Sequence, residues 1–271
     1  MLRTSPSVEP PMTPLLILGV GRMGGAMVGG WRRAGTFAPS ELYVRDPSPS
    51  PDADLSGVRL NPPDGDLSAC RTVLLAVKPQ VWREAAREVA PHLSPDAVVV
   101  SIAAGVTSDA LTEVFGPLRM ARAMPTTAVA INQGTISLCA ADPQARARAH
   151  ALFDPLGRVV ELQSEDQMHA ATAVSGSGPA YLYAFAEALE SAGLDAGLSP
   201  VAAAHLARST IAGAAALMAS GDTPAAELRR QVTSPGGTTE AALRVLMGRD
   251  GLEPLLKTAV AAAIDRSRSL G

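Results

Sequence analysis

The chain has 271 residues, enough to bury a substantial core as one large domain or two ordinary ones, and two is the working expectation. Its 47% hydrophobic content is mostly Ala, Val and Leu, with only 3% aromatics, which suits closely packed helices and a buried parallel sheet, an α/β class. Net charge is −3 with Lys and Arg scattered, so no basic block stands ready for a nucleic-acid backbone or an anionic membrane, and neither is expected as a partner.

Residues 1–13 are rich in Pro, Ser and Thr and lack the apolar run of a signal peptide, so they read as a disordered tail on a cytoplasmic protein. No later run is read as reaching membrane-spanning length. Cys70 and Cys139 have neither metal-site clustering nor a secreted framework, and are expected to be buried thiols in a reducing compartment.

From residue 14 to 163, short aliphatic runs alternate with helical stretches, the pattern of a parallel sheet with crossovers. Strands are predicted at Leu15–Leu18, Glu41–Arg45, Thr72–Val77, Ala97–Ile102, Leu118–Ala123, Thr135–Ala140 and Arg158–Leu162. Helices are predicted near Met23–Arg33, Val81–Val89, Asp109–Val114 and Gln144–Phe153. The Pro- and Asp-rich segments Pro47–Asp54 and Asn61–Asp66 read as loops.

From residue 164 to 271, helices follow one another. Ser164 with Gln167 fits a capping box, which starts a helix near Glu165. Pro179, Pro200 and Pro224 suit first helical turns, and Gly193, Gly221 and Gly248 suit helix ends. Tyr181, Leu182, Phe185, Leu189 and Ala192 form one apolar stripe at helical spacing. The Ala-rich run Val201–Ala219 buries little surface alone and is expected inside a bundle or between subunits.

Gly19-Val20-Gly21-Arg22-Met23-Gly24, between an apolar strand and a helical pattern, has the context of a dinucleotide fingerprint. There Gly19 permits the tight turn, Gly21 lets the pyrophosphate approach, and Gly24 lets helix and strand pack closely. The opposing reading is a glycine turn without a ligand. The adenosine ribose is expected near Arg45 and Asp46, at the end of the second strand. Ala76-Val77-Lys78-Pro79 ends a strand at the edge where open α/β sheets hold ligands; spacing alone favours a solvated Lys78. Ala103-Ala104-Gly105-Val106 is either a simple turn or a place where a flat ring nears the backbone.

Ser234-Pro235-Gly236-Gly237-Thr238-Thr239 precedes a helical run. It is either a Thr-capped helix after a turn or a carboxylate-binding loop at a helix start. Val174-Ser175-Gly176-Ser177-Gly178-Pro179 divides similarly between a helix entry and a pocket wall. The four histidines lack metal-ligand spacing, and no nucleophile, histidine and acid arrangement stands out. Hydride transfer fits that pattern, because a nicotinamide cofactor carries the difficult chemistry.

Taken in order, six blocks resemble pyrroline-5-carboxylate reductase: the Gly19–Gly24 loop, Ala76–Pro79, Val99–Thr107, Arg122–Pro125, Ser175–Tyr181 and Val232–Thr239. The resemblance implies a Rossmann-like domain (14–163) followed by an all-α dimerisation and substrate domain (164–271). It also implies NADPH, or NADH, as hydride donor to the ring C=N of 1-pyrroline-5-carboxylate, which makes L-proline in the last step of proline biosynthesis. The implied assembly is a homodimer or a pentamer of dimers, a decamer. By position, Gly19, Gly21, Arg22, Met23, Gly24, Arg45, Asp46, Ala76, Val77, Lys78, Pro79 and Ala104 fall to the cofactor, with Gln231 reaching it from the helical domain. Ser234, Gly237, Thr238 and Thr239 fall to the substrate carboxylate, Thr239 also to the ring nitrogen as the catalytic contact, and Glu165 to substrate positioning. No metal is implied.

Two segments depart from the family pattern. Thr126-Thr127-Ala128 follows Pro125 where the family usually has Asn and then Pro. Asp46 stands where NADPH-preferring members carry a small hydroxyl residue, and the nearby loop reads Asn61-Pro62-Pro63-Asp64. The competing readings are another Rossmann reductase of the hydroxyacid dehydrogenase type and a non-catalytic cofactor-binding sensor.

Overall fold

The computed structural model of the chain describes residues 12–269. The expected tail lies outside the described residues up to position 11. Met12 and Thr13 are held: the Met12 carbonyl accepts from Thr72 Oγ1 at 2.8 Å, and Thr13 Oγ1 donates to Glu41 at 2.9 Å. By internal contacts the chain forms two units, one running to Gly176 and resuming at Ile264, the other spanning Ser177–Ala263.

The first unit contains β1 (Leu15–Leu18), α1 (Arg22–Ala34), β2 (Leu42–Arg45), β3 (Arg59–Leu60), β4 (Thr72–Leu75), α2 (Trp82–Val89), β5 (Val98–Ser101), α3 (Ser108–Phe115), β6 (Arg119–Pro125), β7 (Gly134–Cys139), α4 (Pro143–Phe153), β8 (Gly157–Glu161) and α5 (Gln167–Ala171). The strands form one sheet in the order β3-β2-β1-β4-β5-β6-β7-β8, a Rossmann-like arrangement. All seven predicted strands form, most with slightly shifted ends. The two-residue β3 adds an eighth, too short to carry a period in the sequence.

Every neighbouring pair is parallel except β6 and β7, which run antiparallel. The parallel sheet expected from the sequence thus carries one antiparallel pair. Only a short 3₁₀ turn, Thr127–Ile131, lies between them, and a parallel return needs a crossover of a dozen residues or more.

Alternation along the strands divides the core into two layers. Leu15, Ile17, Val98 and Val100 face one side, with Met27, Val28 and Trp31 of α1 and Ala145, Ala149 and Leu152 of α4. Leu16, Leu18 and Val99 face the other, with Trp82, Ala86 and Val89 of α2 and Leu111 and Phe115 of α3. Helices thus cover both faces, which is why the strands read as continuous apolar runs. Trp31 Nε1 donates to the Leu152 carbonyl at 2.9 Å, joining α1 to α4. Cys70 is buried, which pushes its thiol pKa up to about 11, whereas Cys139 is half-buried.

The second unit contains α6 (Gly178–Asp195), α7 (Pro200–Ala219), α8 (Ala225–Gln231), α9 (Thr238–Leu246) and most of α10 (Leu252–Arg268). Ser199 caps α7 by accepting from the Ala202 amide at 3.3 Å. Among the described residues, Ala203 and Ala207 alone are buried in this unit. Of 21 large hydrophobic side chains that are exposed among the described residues, 16 lie here, including Leu182, Phe185 and Leu189 of the predicted stripe. As a single copy, the unit lacks a core of its own. Its last helix returns to the first unit, where Ser267 Oγ lies 2.9 Å from His169 Nδ1.

Several sequence expectations need correction. The helix expected near Glu165 starts at Gln167 after Asp166, and no Ser164 box closes. Gln167 Oε1 accepts instead from the Gln163 amide at 2.9 Å, and the Glu165 side chain turns to other partners. Gly193 does not end its helix, which runs to Asp195 and is followed by Gly197 at φ 94°. A Cβ on Gly193 would lie 3.3 Å from both Ala203 and Leu198, so the glycine serves close packing. Pro224 precedes α8 rather than entering its first turn. Finally, α7 is 20 residues long and contains an 18-residue stretch of mean hydropathy 1.3, so one run does reach membrane-spanning length by length and composition, because Ala sustains modest hydropathy over many turns.

Candidate active site

The turn between β1 and α1 is made by Gly19-Val20-Gly21. Gly19 has φ 92°, and a Cβ there would sit 2.8 Å from Val77 Cγ1 and 3.1 Å from the Ala76 carbonyl. A Cβ on Gly24 would lie 2.2 Å from the Gly19 oxygen, whereas around Gly21 nothing lies within 4 Å. Two glycines therefore admit no side chain from inside the protein, and the third faces open space. Gly21 also precedes α1 with no side-chain cap, so the first amides and the positive end of the helix dipole are available to an anion.

Asp46 ties this turn to the end of β2. Its Oδ2 accepts from the Val20 amide at 2.7 Å and its Oδ1 from the Ser48 amide at 2.8 Å. Asn61, at φ 47°, holds the same residue from the other side: its Oδ1 accepts from the Asp46 amide at 3.0 Å and its Nδ2 donates to the Asp46 carbonyl at 3.1 Å.

A cleft of about 840 Å³ opens at the carboxyl ends of β1, β2 and β4. Strand order reverses there, which is where open α/β sheets bind ligands. Gly19, Gly21, Arg45, Asp46, Ala76, Val77 and Lys78 all line it. Arg22, Met23 and Gly24 occupy the first turn of α1, and Pro79 continues the turn after Lys78. Ala104 lies in the turn after β5, outside the cleft lining. Gln231 ends α8 in the other unit, where its Nε2 donates to Glu227 at 3.4 Å. A length of open cleft, a glycine with free space and uncapped helix amides together fit a dinucleotide.

Sequence reasoning missed the α2 wall of the cleft. Val81, Glu84, Ala85 and Glu88 line it, and the signal was a helix with i, i+4 pairs directly after the Lys78-Pro79 turn. Arg45 crosses to this wall: its guanidinium pairs with Glu88 at 3.2 Å and with Asp64, while His92 Nε2 lies 3.6 Å from Asp64.

Glu165 belongs to the first unit. Its Oε1 accepts from Arg122 Nη1 at 2.6 Å and from the Ser108 amide at 2.8 Å, fixing the start of α3 against β6. Burial raises the Glu165 pKa, but the Ser108 hydrogen bonds and the Arg122 guanidinium outweigh it, so the carboxyl titrates below its ordinary value. Arg122 is 4% exposed, and this carboxylate supplies its counter-charge.

In the second unit, Ser234–Gly237 forms the turn before α9. Gly237, not a threonine, is the N-cap, and no side chain caps the helix. This overturns the Thr-capped alternative. Thr238 and Thr239 fall inside the first turn, with their amides at the helix start. A Cβ on Gly237 would lie 2.5 Å from the rotatable Ser234 Oγ and 3.1 Å from the Ser234 carbonyl, so the turn is tight there, and Gly236 takes its positive φ of 71°. The Gly236 amide is already used, donating to Glu240 at 2.9 Å. Among the described residues, no group of three or more His, Cys, Asp or Glu is placed to hold a metal ion.

Residues 165–270 match the family described as pyrroline-5-carboxylate reductase dimerisation, and residues 14–105 match NADP oxidoreductase, coenzyme F420-dependent. The chain is 36% identical to the pyrroline-5-carboxylate reductase of Pseudomonas aeruginosa, covering 94% of this chain and 96% of that one. The chain belongs to the pyrroline-5-carboxylate reductase family. Among solved structures, the family member from Coxiella burnetii shares 32% identity and a TM-score of 0.87, covering 96% of this chain and 99% of that one. The Plasmodium falciparum pyrroline carboxylate reductase, solved with NADP bound, shares 27% identity and a TM-score of 0.82, covering 96% and 98%. In this pyrroline-5-carboxylate reductase family member, the dimerisation match takes in every helix of the second unit, whose apolar side chains stand exposed in a single copy.

Proposed function

We propose that this protein reduces the ring C=N bond of 1-pyrroline-5-carboxylate to give L-proline, the last step of proline biosynthesis, with NADPH or NADH as hydride donor. The observation that carries the reading is a glycine-lined cleft at the β1–β4 switch in a chain similar to pyrroline-5-carboxylate reductases along nearly its whole length. The cofactor supplies the hydride; the chain binds, orients and polarises.

Residues 14–163 act as the dinucleotide domain, and residues 164–271 as the dimerisation and substrate domain. Gly19, Gly21 and Gly24, with the amides of Arg22 and Met23, receive the pyrophosphate. Arg45 and Asp46 lie beside the adenosine ribose, while Ala76, Val77, Lys78, Pro79 and Ala104 follow the cofactor toward its reactive end, with Gln231 contributing from the helical domain. The uncapped start of α9 receives the substrate carboxylate through the Thr238 and Thr239 amides and Ser234, while Gly237, whose amide donates to the Ser234 carbonyl at 3.1 Å, closes the turn that presents them. Thr239 Oγ1 hydrogen-bonds the ring nitrogen. Glu165 orients the substrate side of the pocket through Arg122 and Ser108.

The assembly is a homodimer or a multiple of dimers up to a decamer, supported by the coreless helical unit. The protein works in the cytoplasm without nucleic acid or membrane partners, a reading supported by its scattered basic residues and two free cysteines. In the hydroxyacid dehydrogenase reading the acid or base is Lys78 or a lysine of the helical unit, and the one lysine there, Lys257, pairs with Glu253 at 2.6 Å on the surface. Oxidation of NADPH on addition of 1-pyrroline-5-carboxylate, with proline as product, is the test. Cofactor binding with no turnover would instead favour the sensor.

A further inference from the structure

We infer that Glu88 on α2 sets the choice between NADPH and NADH by holding Arg45 away from the 2′ position of the adenosine ribose. This rests on the dinucleotide reading of the cleft and adds a specificity-determining residue to it. In folds of this kind, an acidic residue at the end of the second strand bonds the ribose 2′-hydroxyl, whereas a nearby arginine accommodates a 2′-phosphate. Both residue types occur here, side by side, as Asp46 and Arg45.

The guanidinium of Arg45 is committed elsewhere. Its Nη1 lies 3.2 Å from Glu88 Oε1 and its Nη2 bonds Asp64, while its Nε is buried without an acceptor. An arginine free to maximise its bonds would not leave that donor unused. The two carboxylates dictate its position. The lining of the cleft carries Arg45 and Lys78 against Asp46, Glu84 and Glu88, so a dianionic 2′-phosphate meets more negative than positive charge, and Arg45 offsets this by direct bonds only when its guanidinium leaves Glu88. Glu88 is the partner that also lines the cleft. A phosphate and Glu88 therefore compete for one guanidinium, and a 2′-hydroxyl does not enter that competition.

The test is equilibrium titration of the purified protein with NADPH and with NADH, read by nicotinamide fluorescence and needing no substrate. Glu88→Gln keeps the size of the side chain and removes its charge. We expect the ratio of NADH to NADPH dissociation constants to rise about tenfold in favour of NADPH, and the rise to vanish when Arg45→Gln is already present. A ratio changed less than about twofold by Glu88→Gln overturns the proposal. So does an equal shift in the Arg45→Gln background, which would make the effect direct repulsion. If the wild type binds neither dinucleotide, the reading of the cleft fails and the proposal falls with it. Both outcomes are read from binding alone, so a failure to turn over 1-pyrroline-5-carboxylate would leave them distinct.

Discussion

The Val20 amide donates to the Asp46 carboxylate across 2.7 Å, which makes the end of β2 a brace for the glycine turn at the end of β1. Asp46 is thereby more than a candidate ribose contact. Asp46→Ala removes the acceptor from two amides, those of Val20 and Ser48, and should raise KM for both dinucleotides. Asp46→Ser removes the charge that repels a 2′-phosphate while retaining one acceptor, and should shift kcat/KM toward NADPH. Steady-state kinetics with each cofactor check this: a wild type using NADPH at least a hundredfold better than NADH, unchanged in Asp46→Ser, would refute the assignment.

The glycines of the turn should separate folding from binding. Alanine at Gly24 puts a methyl 2.2 Å from the Gly19 oxygen, so the helix start or the turn must move, at a cost of about 3 kcal/mol. Alanine at Gly21 meets nothing within 4 Å and should fold normally while weakening cofactor binding. Thermal unfolding paired with cofactor titration reads both. Equal melting temperatures for the two variants would contradict the packing argument.

Thr239→Val preserves shape and deletes the hydroxyl proposed to bond the ring nitrogen. Loss of one preorganised donor lowers kcat/KM by roughly a hundredfold. Near-normal kinetics in this variant would remove Thr239 from the mechanism.

How far the sequence reveals the fold depends on how local the determinants are. β1, α1 and their glycine turn are readable because the apolar run, the glycines and the helix pattern are contiguous. The antiparallel β6–β7 pair is not, because strand direction follows from the length of the connection, which looks like any other stretch of small and β-branched residues. Glu165 reads as part of a helix start, but Arg122 and Ser108, 43 and 57 residues earlier, claim its side chain. No local pattern encodes such partners. The α2 wall is hidden for a similar reason: Glu84 and Glu88 look like a solvated face until β2 delivers Arg45 to Glu88.

Glu165 should also leave a signature in stability against pH. Its carboxyl titrates below the ordinary 4.5, so the ionised form stabilises the fold at neutral pH, and that contribution is lost as pH falls from 4.5 through the lower folded value. Glu165→Gln leaves the buried Arg122 charge without its counter-ion. The expected loss at neutral pH is about 2 kcal/mol, less than for a fully buried pair because Glu165 is partly exposed. Denaturant midpoints of wild type and variant should converge on acidification below pH 4.5; a gap independent of pH would show that the ion pair contributes nothing.

Association and folding should be coupled, since the helical unit buries only two alanines by itself among the described residues. The unfolding midpoint should rise with protein concentration. A fully active monomer in light scattering at dilute concentration would exclude the dimer.

The exposed helical face has a further consequence, in time rather than in energy. A freshly synthesised copy carries Leu182, Phe185, Leu206 and Leu217 open to water until it meets a second copy, and during that wait any other apolar surface is a competitor. Meeting is bimolecular, so the wait lengthens in inverse proportion to abundance. Yield of intact enzyme at low expression is then governed by the speed of encounter between chains, and surface charges that hasten encounter would raise it without strengthening a single contact in the finished assembly.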